Sequence, residues 1–370
     1  RVLGDWLPLP ERDAQPAILA VSPVLPGLIA EPGQDALVSV AAGLAQKYQL
    51  ESVVASLFAL AENENGAVSA RVAAARALEF VQGPRSRKLA DQWLAASQPA
   101  LRSAGRELLY AQDSPAALAG LERLFQAPGA EEEKRAALEL LGRATEAGAH
   151  ALLTRQMKRL LDHQLPESLA LDVSEALAAH GKNHTLPNST RNQRARTAAD
   201  LQQQWLARLP PDDALREHRM TLTGGDADRG RRLFHERVEF LCVRCHRIEG
   251  QGVSNVGPDL SGIGSKRDRE YVLRAIVHPG ADIATGFEFA TLALANGQTL
   301  VGTIREESPT HLRIEITENG TSKLEEVLKS TVKERLATSA MPPLVALMTP
   351  RELRDLVEYL ATQTQPNPTR

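Results

Sequence analysis

The spacing of apolar residues changes along the chain and predicts where helices and strands lie. From about residue 35 to 210, apolar residues recur at the period of an amphipathic helix, as in Val54, Leu57 and Phe58. Between about residues 286 and 338 the period falls to two, in segments such as FEFATLAL and QTLVGTI, which predicts β-strands. A helical pattern returns near the C-terminus. We therefore predict a mainly α chain that contains one small β-region.

Proline and glycine residues cut the helical region into segments of about a dozen residues. We pair these segments into four predicted hairpins: 51–64 with 67–81, 86–96 with 99–111, 115–126 with 131–146, and 148–163 with 167–180. One leucine occupies an equivalent position in the second helix of each pair, at steps of 30, 32 and 37 residues: Leu78, Leu108, Leu140 and Leu177. A period of this length indicates a solenoid of helical repeats.

Two segments in this region, ARVAAARALEFV and EKRAALELLG, resemble HEAT-type repeats, in which small alanines let paired helices approach and leucines fill a continuous core. The resemblance implies a HEAT-like α-solenoid over residues 35–210, and an irregular helical bundle of the same composition is the alternative. A polar loop is predicted over 183–196, followed by a last helix over 196–208. Pro210 and Pro211 are predicted to link this domain to the next.

The N-terminal segment, residues 1–34, carries six prolines. Proline fixes φ and lacks an amide donor, so this segment is predicted to be extended rather than helical, and a floppy leader is the alternative. The first residue is Arg, and we expect that any leader or upstream domain would lie outside this sequence.

Turn sequences separate the predicted strands of the β-region: Asn296–Gly297, Ser308–Pro309 and Asn319–Gly320. They predict a small antiparallel β-module at about 286–338, inserted in a second domain that spans residues 224–370.

Two helices are expected to frame the second domain. Asp226 is a predicted N-cap for the first of them. Thr349, with Glu352 three residues later, predicts a capping box at the start of the last helix. That helix has one apolar face, formed by Leu353, Leu356, Val357 and Leu360.

The strongest chemical signal is the run CVRCH, which begins at Cys242 and holds the only two cysteines of the chain. Cys-x-x-Cys-His is the attachment signature of a c-type haem. It predicts that Cys242 and Cys245 bind one porphyrin covalently and that His246 is the proximal ligand of its iron. A zinc site is less favoured because there is no second cysteine pair. A redox-active dithiol is less favoured because no βαβ pattern surrounds the motif.

Composition and charge exclude some functions. The formal net charge is −3 with both signs interspersed, which gives no indication of a nucleic-acid partner. The most apolar early stretch is interrupted by Pro23 and Pro26, so no membrane span is expected. Haem attachment to cysteines takes place outside the bacterial inner membrane, so we expect a periplasmic or cell-surface protein.

The order of motifs after residue 224 resembles a known family. GDADRGRRLF, CVRCH, GPDLSGIG, REYVLRAIVHPGADI, a β-insertion and MPPLVALMTPRELRDLVEYL together resemble the C-terminal haem-binding domain of bacterial PVC-type membrane-bound dehydrogenase and CxxCH-containing proteins. The resemblance covers about 224–363 and implies a class I-like cytochrome c fold. In cytochromes c the carbonyl of the Gly-Pro-x-Leu proline accepts the proton of the proximal imidazole, a role that falls here to Pro258. His278 stands where an acidic residue is expected.

The resemblance also implies a distal iron ligand. Cytochromes c of this shape place their axial methionine between the β-insertion and the last helix, which is the position of Met341 in SAMPPL. Met348 is the second candidate and His278 the third. Met157 and Met220 lie outside the predicted haem fold and are expected to be core or linker residues.

These observations together predict an electron-transfer module with one haem c. It would carry single electrons from a dehydrogenase domain or partner protein to a respiratory acceptor, and no catalytic residues are predicted in this chain. A peroxidase or ligand sensor is the alternative and requires an open or displaceable sixth position on the iron. A solenoid scaffold with a structural haem is a further alternative.

Overall fold

The computed structural model describes residues 13–30, 35–182, 186–240, 242–253, 256–318 and 321–365. These residues are mainly helical and include one five-stranded antiparallel sheet. The described residues form two compact units: those within Arg1–Met157 and Glu175–Ala198, and those within Lys158–Ser174 and Ala199–Arg370. Within the described ranges, no helix has the length and apolar character that a membrane span requires.

The helices before residue 210 follow one another with short connections. In chain order they are α1 Gln15–Val21, α2 Leu25–Ala30, α3 Asp35–Tyr48, α4 Val54–Glu62, α5 Val68–Ala77, α6 Pro84–Leu94, α7 Pro99–Gln112, α8 Ser114–Gln126, α9 Glu131–Arg143, α10 Ala147–Leu161, α11 Ala170–Lys182 and α12 Asn188–Ala207. Helices α4 to α11 correspond to the four predicted hairpins, so those helix predictions are confirmed.

The leucines at equivalent positions are all buried, with exposed fractions of 3 % or less for Leu78, Leu108, Leu140 and Leu177. Helix α5 packs on α7, and α7 packs on α9, so second helices of successive hairpins lie side by side. Close approach depends on small residues: a Cβ added to Gly142 would lie 3.1 Å from the Cα of Ala176. The packing agrees with repeats, and the assignment to HEAT-type repeats stays a prediction.

Ion pairs between these helices recur with a similar spacing. Arg76 Nε donates to Glu107 at 2.8 Å, and Arg102 Nε donates to Glu133 at 3.1 Å, each across 31 residues. Both ion pairs join the second helices of neighbouring hairpins, α5 with α7 and α7 with α9.

The prediction of an extended N-terminal segment is wrong for the described residues 13–30, which contain α1 and α2. Pro16 lies in the first turn of α1, where its missing amide hydrogen removes no helical hydrogen bond. Leu25 and Ile29 are 2 % and 1 % exposed, so burial of one face stabilises α2 despite its proline. Residues 1–12 lie outside the described residues.

The predicted polar loop over 183–196 is also wrong from Asn188 onward, because α12 begins there. Residues 183–185 lie outside the described residues. Arg194, in this helix, is only 5 % exposed, and its Nη2 donates to the carbonyl oxygen of Thr145 at 3.0 Å. A specific tertiary contact therefore overrides a polar pattern that indicated a loop.

Two stacked histidines lie beside Arg194. The rings of His150 and His180 are 5.5 Å apart, and His180 is fully buried. His180 Nε2 lies within hydrogen-bonding distance of the carbonyl oxygen of Leu141, and its Nδ1 lies 3.3 Å from Arg194 Nη1. A carbonyl only accepts and a guanidinium only donates, so the neutral Nε2–H tautomer satisfies both partners. Burial, aided by Arg194, lowers the pKa of His150 to about 4, and burial likewise lowers the pKa of His180.

We expect the chain to lose stability as the pH falls from about 6.5 toward 4, by on the order of 1 kcal/mol. Because both pKa values are lowered by folding, the unfolded chain binds more protons in this range, and the contribution is fully present above pH 6.5. Urea unfolding followed by circular dichroism at pH 7.5 and 5 measures the change. His150→Phe should reduce the pH dependence, whereas His163→Gln, at an exposed histidine, should not; equal pH dependence in all three proteins would contradict the prediction.

The second unit contains the remaining helices and all strands of the described residues. The helices are α13 Ala227–Glu236, α14 Cys242–Cys245, α15 Ile263–Lys266, α16 Arg269–Val277 and α17 Pro350–Thr362. The strands are β1 Arg247–Ile248, β2 Gln251–Gly252, β3 Glu288–Leu294, β4 Thr299–Glu307, β5 His311–Glu318, β6 Thr321–Leu328 and β7 Val332–Ser339.

Strands β3 to β7 form the predicted antiparallel module, in the order β6-β5-β4-β3-β7. The turn between β3 and β4 contains Gly297 with a φ of 86°, a conformation that favours glycine. One face of the sheet holds a core that includes Ala290, Leu292 and Ile314, each fully buried. The predicted turn at Asn319–Gly320 lies outside the described residues.

Helices α13 and α17 cross in close contact. Asp226 caps α13 by accepting the amide of Arg229 at 2.8 Å, and Thr349 and Glu352 form the predicted capping box of α17. A Cβ on Gly230 would lie 2.0 Å from the carbonyl oxygen of Asp355, so only glycine permits this crossing. The predicted apolar face of α17 is buried: Leu353, Leu356, Val357 and Leu360 are 6 % exposed or less.

The compact units do not divide at the predicted linker of Pro210 and Pro211. Residues 158–174 and 199–209 pack with the second unit. The physical reason includes a buried ion pair, in which Arg354 Nη1 donates to Asp172 at 2.6 Å and both side chains are 1 % exposed or less. The predicted domain bounds of 35–210 and 224–370 therefore differ from the observed units.

Candidate functional site

The CVRCH motif forms a single helical turn that ends at a cavity. Cys242 and Cys245 begin and end α14, and the amide of His246 donates to the carbonyl oxygen of Cys242 at 2.9 Å. The following β1–β2 turn folds back on the motif, because a Cβ on Gly252 would lie 2.3 Å from the carbonyl oxygen of His246. Both cysteines and His246 line one cavity of about 590 Å³.

His246 is held in one orientation. Its Nδ1 lies 2.9 Å from the carbonyl oxygen of Pro258, and a carbonyl only accepts, so Nδ1 carries the proton and donates. The lone pair of Nε2 is then available to a metal ion. Burial lowers the pKa of His246, which favours the neutral ring that metal binding needs. Gly257 fits against the ring, since a Cβ there would lie 2.6 Å from its Cε1.

The two thiols are free and lie on the same side of the motif as the imidazole. Burial raises the pKa of the Cys242 thiol to about 11. In the part of the chain that the structure describes, no three His, Cys, Asp or Glu residues are grouped so that they could hold a metal ion. The arrangement is one imidazole with two thiols beside an apolar cavity.

Both candidate methionines reach this cavity. Met341 lies two residues after the end of strand β7, and Met348 precedes the N-cap of α17. His278 does not line the cavity. Its Nε2 lies 2.9 Å from the carbonyl oxygen of Ala214, so this nitrogen has a hydrogen-bond partner within the protein. Met157 and Met220 are 1 % and 8 % exposed and lie elsewhere. The cavity therefore brings together Cys242, Cys245, His246, Pro258, Met341 and Met348.

Sequence reasoning missed several apolar residues that line the cavity. Phe234 comes from α13 and Tyr271 from α16, while Ile283 and Phe287 come from the segment that leads into β3. Helical periodicity predicts that Phe234 lies on the buried face of its helix, but it does not show that this face lines the cavity. The segment before β3 carries no regular pattern, so the sequence offered no signal that the β-module begins at this cavity.

The cavity residues fit a haem group. The donor set is two thiols, an imidazole with a free Nε2 and a thioether, which are the groups that attach and ligate haem c. A volume of about 590 Å³ lined mostly by apolar side chains is in the range of cofactor sites.

Comparison with known families agrees with the geometry. Residues 227–300 match the family model described as cytochrome c. No curated protein gives a significant match to the chain. The matched segment runs from α13 through CVRCH, Pro258 and α16 into strand β4, and it ends before Met341. The chain therefore contains a C-terminal cytochrome c domain, and its cofactor is covalently bound haem c with iron.

Proposed function

We propose that this chain is a periplasmic or cell-surface electron-transfer protein that carries single electrons from a dehydrogenase domain or partner protein to a respiratory acceptor. The observation that carries the proposal is the convergence of CVRCH and a methionine thioether on one apolar cavity. When bound, the haem iron supplies a one-electron ferric–ferrous couple. The resemblance to the haem-binding domain of PVC-type dehydrogenase-associated proteins supports a dehydrogenase as the donor, and the cysteine-attached cofactor supports the location.

Each cavity residue has a distinct role in this proposal. Cys242 and Cys245 hold the cofactor covalently, which prevents its loss. His246 would bind the iron through Nε2, and the Pro258 carbonyl fixes the tautomer and orientation of its ring. Met341 would supply the second protein ligand of the iron, the distal ligand in this proposal. A thioether is neutral and soft, so it favours the ferrous state and a higher potential.

The apolar lining has a role of its own. Phe234, Leu356 and Leu360 line the cavity beside the ligands. They keep water from the cofactor, which lowers the local dielectric and reduces solvent rearrangement during electron transfer. The proposed HEAT-like repeats would present a surface to a partner, as repeat proteins do.

The rival function, a peroxidase or ligand sensor, requires a sixth position that is open or easily displaced. Two thioethers that line the cavity support electron transfer instead.

We expect the reduced protein to be unreactive toward carbon monoxide at neutral pH, because the thioether occupies the sixth position. The measurement is the visible spectrum of the reduced protein before and after equilibration with carbon monoxide, with a urea-unfolded sample as the positive control. A carbon monoxide adduct of the folded protein, together with peroxide turnover, would contradict the electron-transfer proposal in favour of its rival.

A further inference from the structure

The five-stranded β-module has no assigned role, and both of its ends lie at the haem cavity. Strand β3 begins at Glu288, directly after the cavity-lining Phe287. Strand β7 ends at Ser339, which itself lines the cavity and precedes Ala340 and Met341. The first strand of the module thus starts at this cavity and the last strand ends there.

The sheet holds these two ends together. Although β3 and β7 are separated by three other strands in sequence, they are hydrogen-bonded neighbours, and Glu288 lies opposite Ser339 in their register. Ladder pairing fixes the backbone of both strands along their length. Ser339, which leads into the loop that carries Met341, therefore has a fixed position relative to Glu288 at the start of β3.

Ion pairs among neighbouring side chains of the module strengthen the β3–β7 pairing, and this set of four residues is called the brace: Glu288, Glu307, Lys329 and Arg335. Arg335 in β7 donates through Nε to Glu288 in β3 at 2.7 Å, and through Nη2 to Glu307 in β4 at 3.0 Å. Lys329 also pairs with Glu307. Hydrogen bonds from Arg335 and Lys329 lower the pKa of Glu307 to about 2, so this carboxylate is charged at neutral pH.

One hydrogen bond connects the end of the sheet to the distal methionine. The amide of Met341 donates to Ser339 Oγ at 3.1 Å. A serine hydroxyl that accepts the amide two residues later fixes a local turn. This bond restricts the backbone of Met341 to one direction as the chain leaves β7.

The second methionine at the cavity is held by a different element. Met348 precedes Thr349, whose capping box with Glu352 belongs to helix α17. A change at the end of β7 therefore alters the support of Met341 and leaves that of Met348 intact.

We propose that the β-module is the positioning element of the distal ligand and that Ser339 is its positioning residue. Through the β3–β7 pairing and the Ser339–Met341 hydrogen bond, the module sets how firmly the Met341 thioether is presented to the cofactor. This inference rests on the proposed function, in which Met341 is the distal ligand. Ser339 would act on the cofactor through the backbone of Met341, to which it is hydrogen-bonded.

The test compares Ser339→Ala, Ser339→Thr and Ser322→Ala in the full haem-loaded chain. Ser322 shares a hydroxyl hydrogen bond with Thr317 at 3.0 Å between β5 and β6, away from β7, and serves as the matched control. Three properties are measured: the affinity of the oxidised protein for imidazole, the far-red sulfur-to-iron absorption band and the midpoint potential. Far-ultraviolet circular dichroism and the melting temperature report on the fold separately.

We expect Ser339→Ala to bind imidazole about fivefold more tightly, because a single hydrogen bond of this kind no longer restrains the ligand that imidazole displaces. The far-red band should weaken and the potential should fall. Ser339→Thr retains the hydroxyl and should stay within about twofold of the parent, and Ser322→Ala should match the parent. Glu288→Gln weakens the brace without touching the distal loop and should shift the same three properties in the same direction.

The outcomes separate this inference from the proposed function. If Met341→Ala abolishes the far-red band but Ser339→Ala and Glu288→Gln both behave like Ser322→Ala, Met341 is the ligand and the positioning role is overturned. If Met341→Ala leaves the band intact, the ligand assignment fails and the positioning role fails with it. Should Ser339→Ala not fold, Glu288→Gln decides the question by the same measurements.

Discussion

Met341→Ala is expected to convert a cytochrome that excludes external ligands into one that binds carbon monoxide in its reduced form and imidazole in its oxidised form. The thioether must leave before another ligand enters, so its removal takes the reduced protein from no detectable adduct to a stoichiometric one. The far-red absorption band should disappear and the potential should fall, because a neutral soft ligand no longer stabilises the ferrous state. The haem should remain attached, because Cys242 and Cys245, which would hold it covalently, are unchanged in this variant.

Met348→Ala is the matched control, because Met348 lines the same cavity and differs in the element that holds it. We expect this variant to keep the band, the potential and the resistance to carbon monoxide. The reverse result, in which Met348→Ala binds carbon monoxide and Met341→Ala does not, would assign the ligand role to Met348. If neither variant differs from the parent protein, neither methionine is the iron ligand.

Asp172→Ala is expected to destabilise the second unit by about 3–5 kcal/mol, because it leaves a buried guanidinium without its counter-charge. Arg354 is 1 % exposed, and two of its nitrogens donate to Asp172, at 2.6 and 3.3 Å. Among the described residues, its Nε has no hydrogen-bond partner, so loss of the carboxylate leaves the whole group buried and poorly compensated. Urea unfolding followed by haem absorbance reports on this unit directly.

Two further variants test whether the burial of this ion pair causes the loss of stability. Asp282→Ala breaks the exposed pair between Asp282 and Arg274, whose side chains are 38 % and 35 % exposed, and should change the stability far less than Asp172→Ala does. The double variant Asp172→Leu with Arg354→Met replaces the pair by apolar side chains and should recover most of the lost stability. A cost of Asp172→Ala no larger than that of Asp282→Ala would show that the pair does not hold residues 158–174 to the cytochrome domain.

The parts of this molecule that the sequence predicts well are those that depend on residues close together in the chain. The CVRCH spacing is local, and it leads directly to the cavity that Cys242, Cys245 and His246 share. The helical hairpins and the β-module follow from periodicity and turn residues over short windows, and their predicted limits lie within a few residues of the observed ones.

The parts that the sequence predicts poorly depend on contacts between distant residues. Arg354 and Asp172 are 182 residues apart, and each resembles an ordinary surface charge in its own helix, so the predicted boundary at Pro210 overlooks their pairing. Arg194 lies in a polar segment for which the sequence predicts a loop. Its contact with Thr145, which helps to explain why the segment is helical, joins residues 49 positions apart. The role proposed for Ser339 likewise depends on the pairing of β7 with β3, which no local pattern contains.

The attachment of haem to Cys242 and Cys245 is the central claim, and extraction with acidified acetone tests it most directly. The chain is expressed with a haem attachment system, purified, denatured and extracted, and the intact mass of the precipitated protein is measured. The account predicts that the colour stays with the protein, that the mass exceeds that of the polypeptide by one haem, and that the double variant Cys242→Ala, Cys245→Ala loses both properties. Colour that leaves with the solvent, or a mass equal to that of the polypeptide alone, would contradict the account.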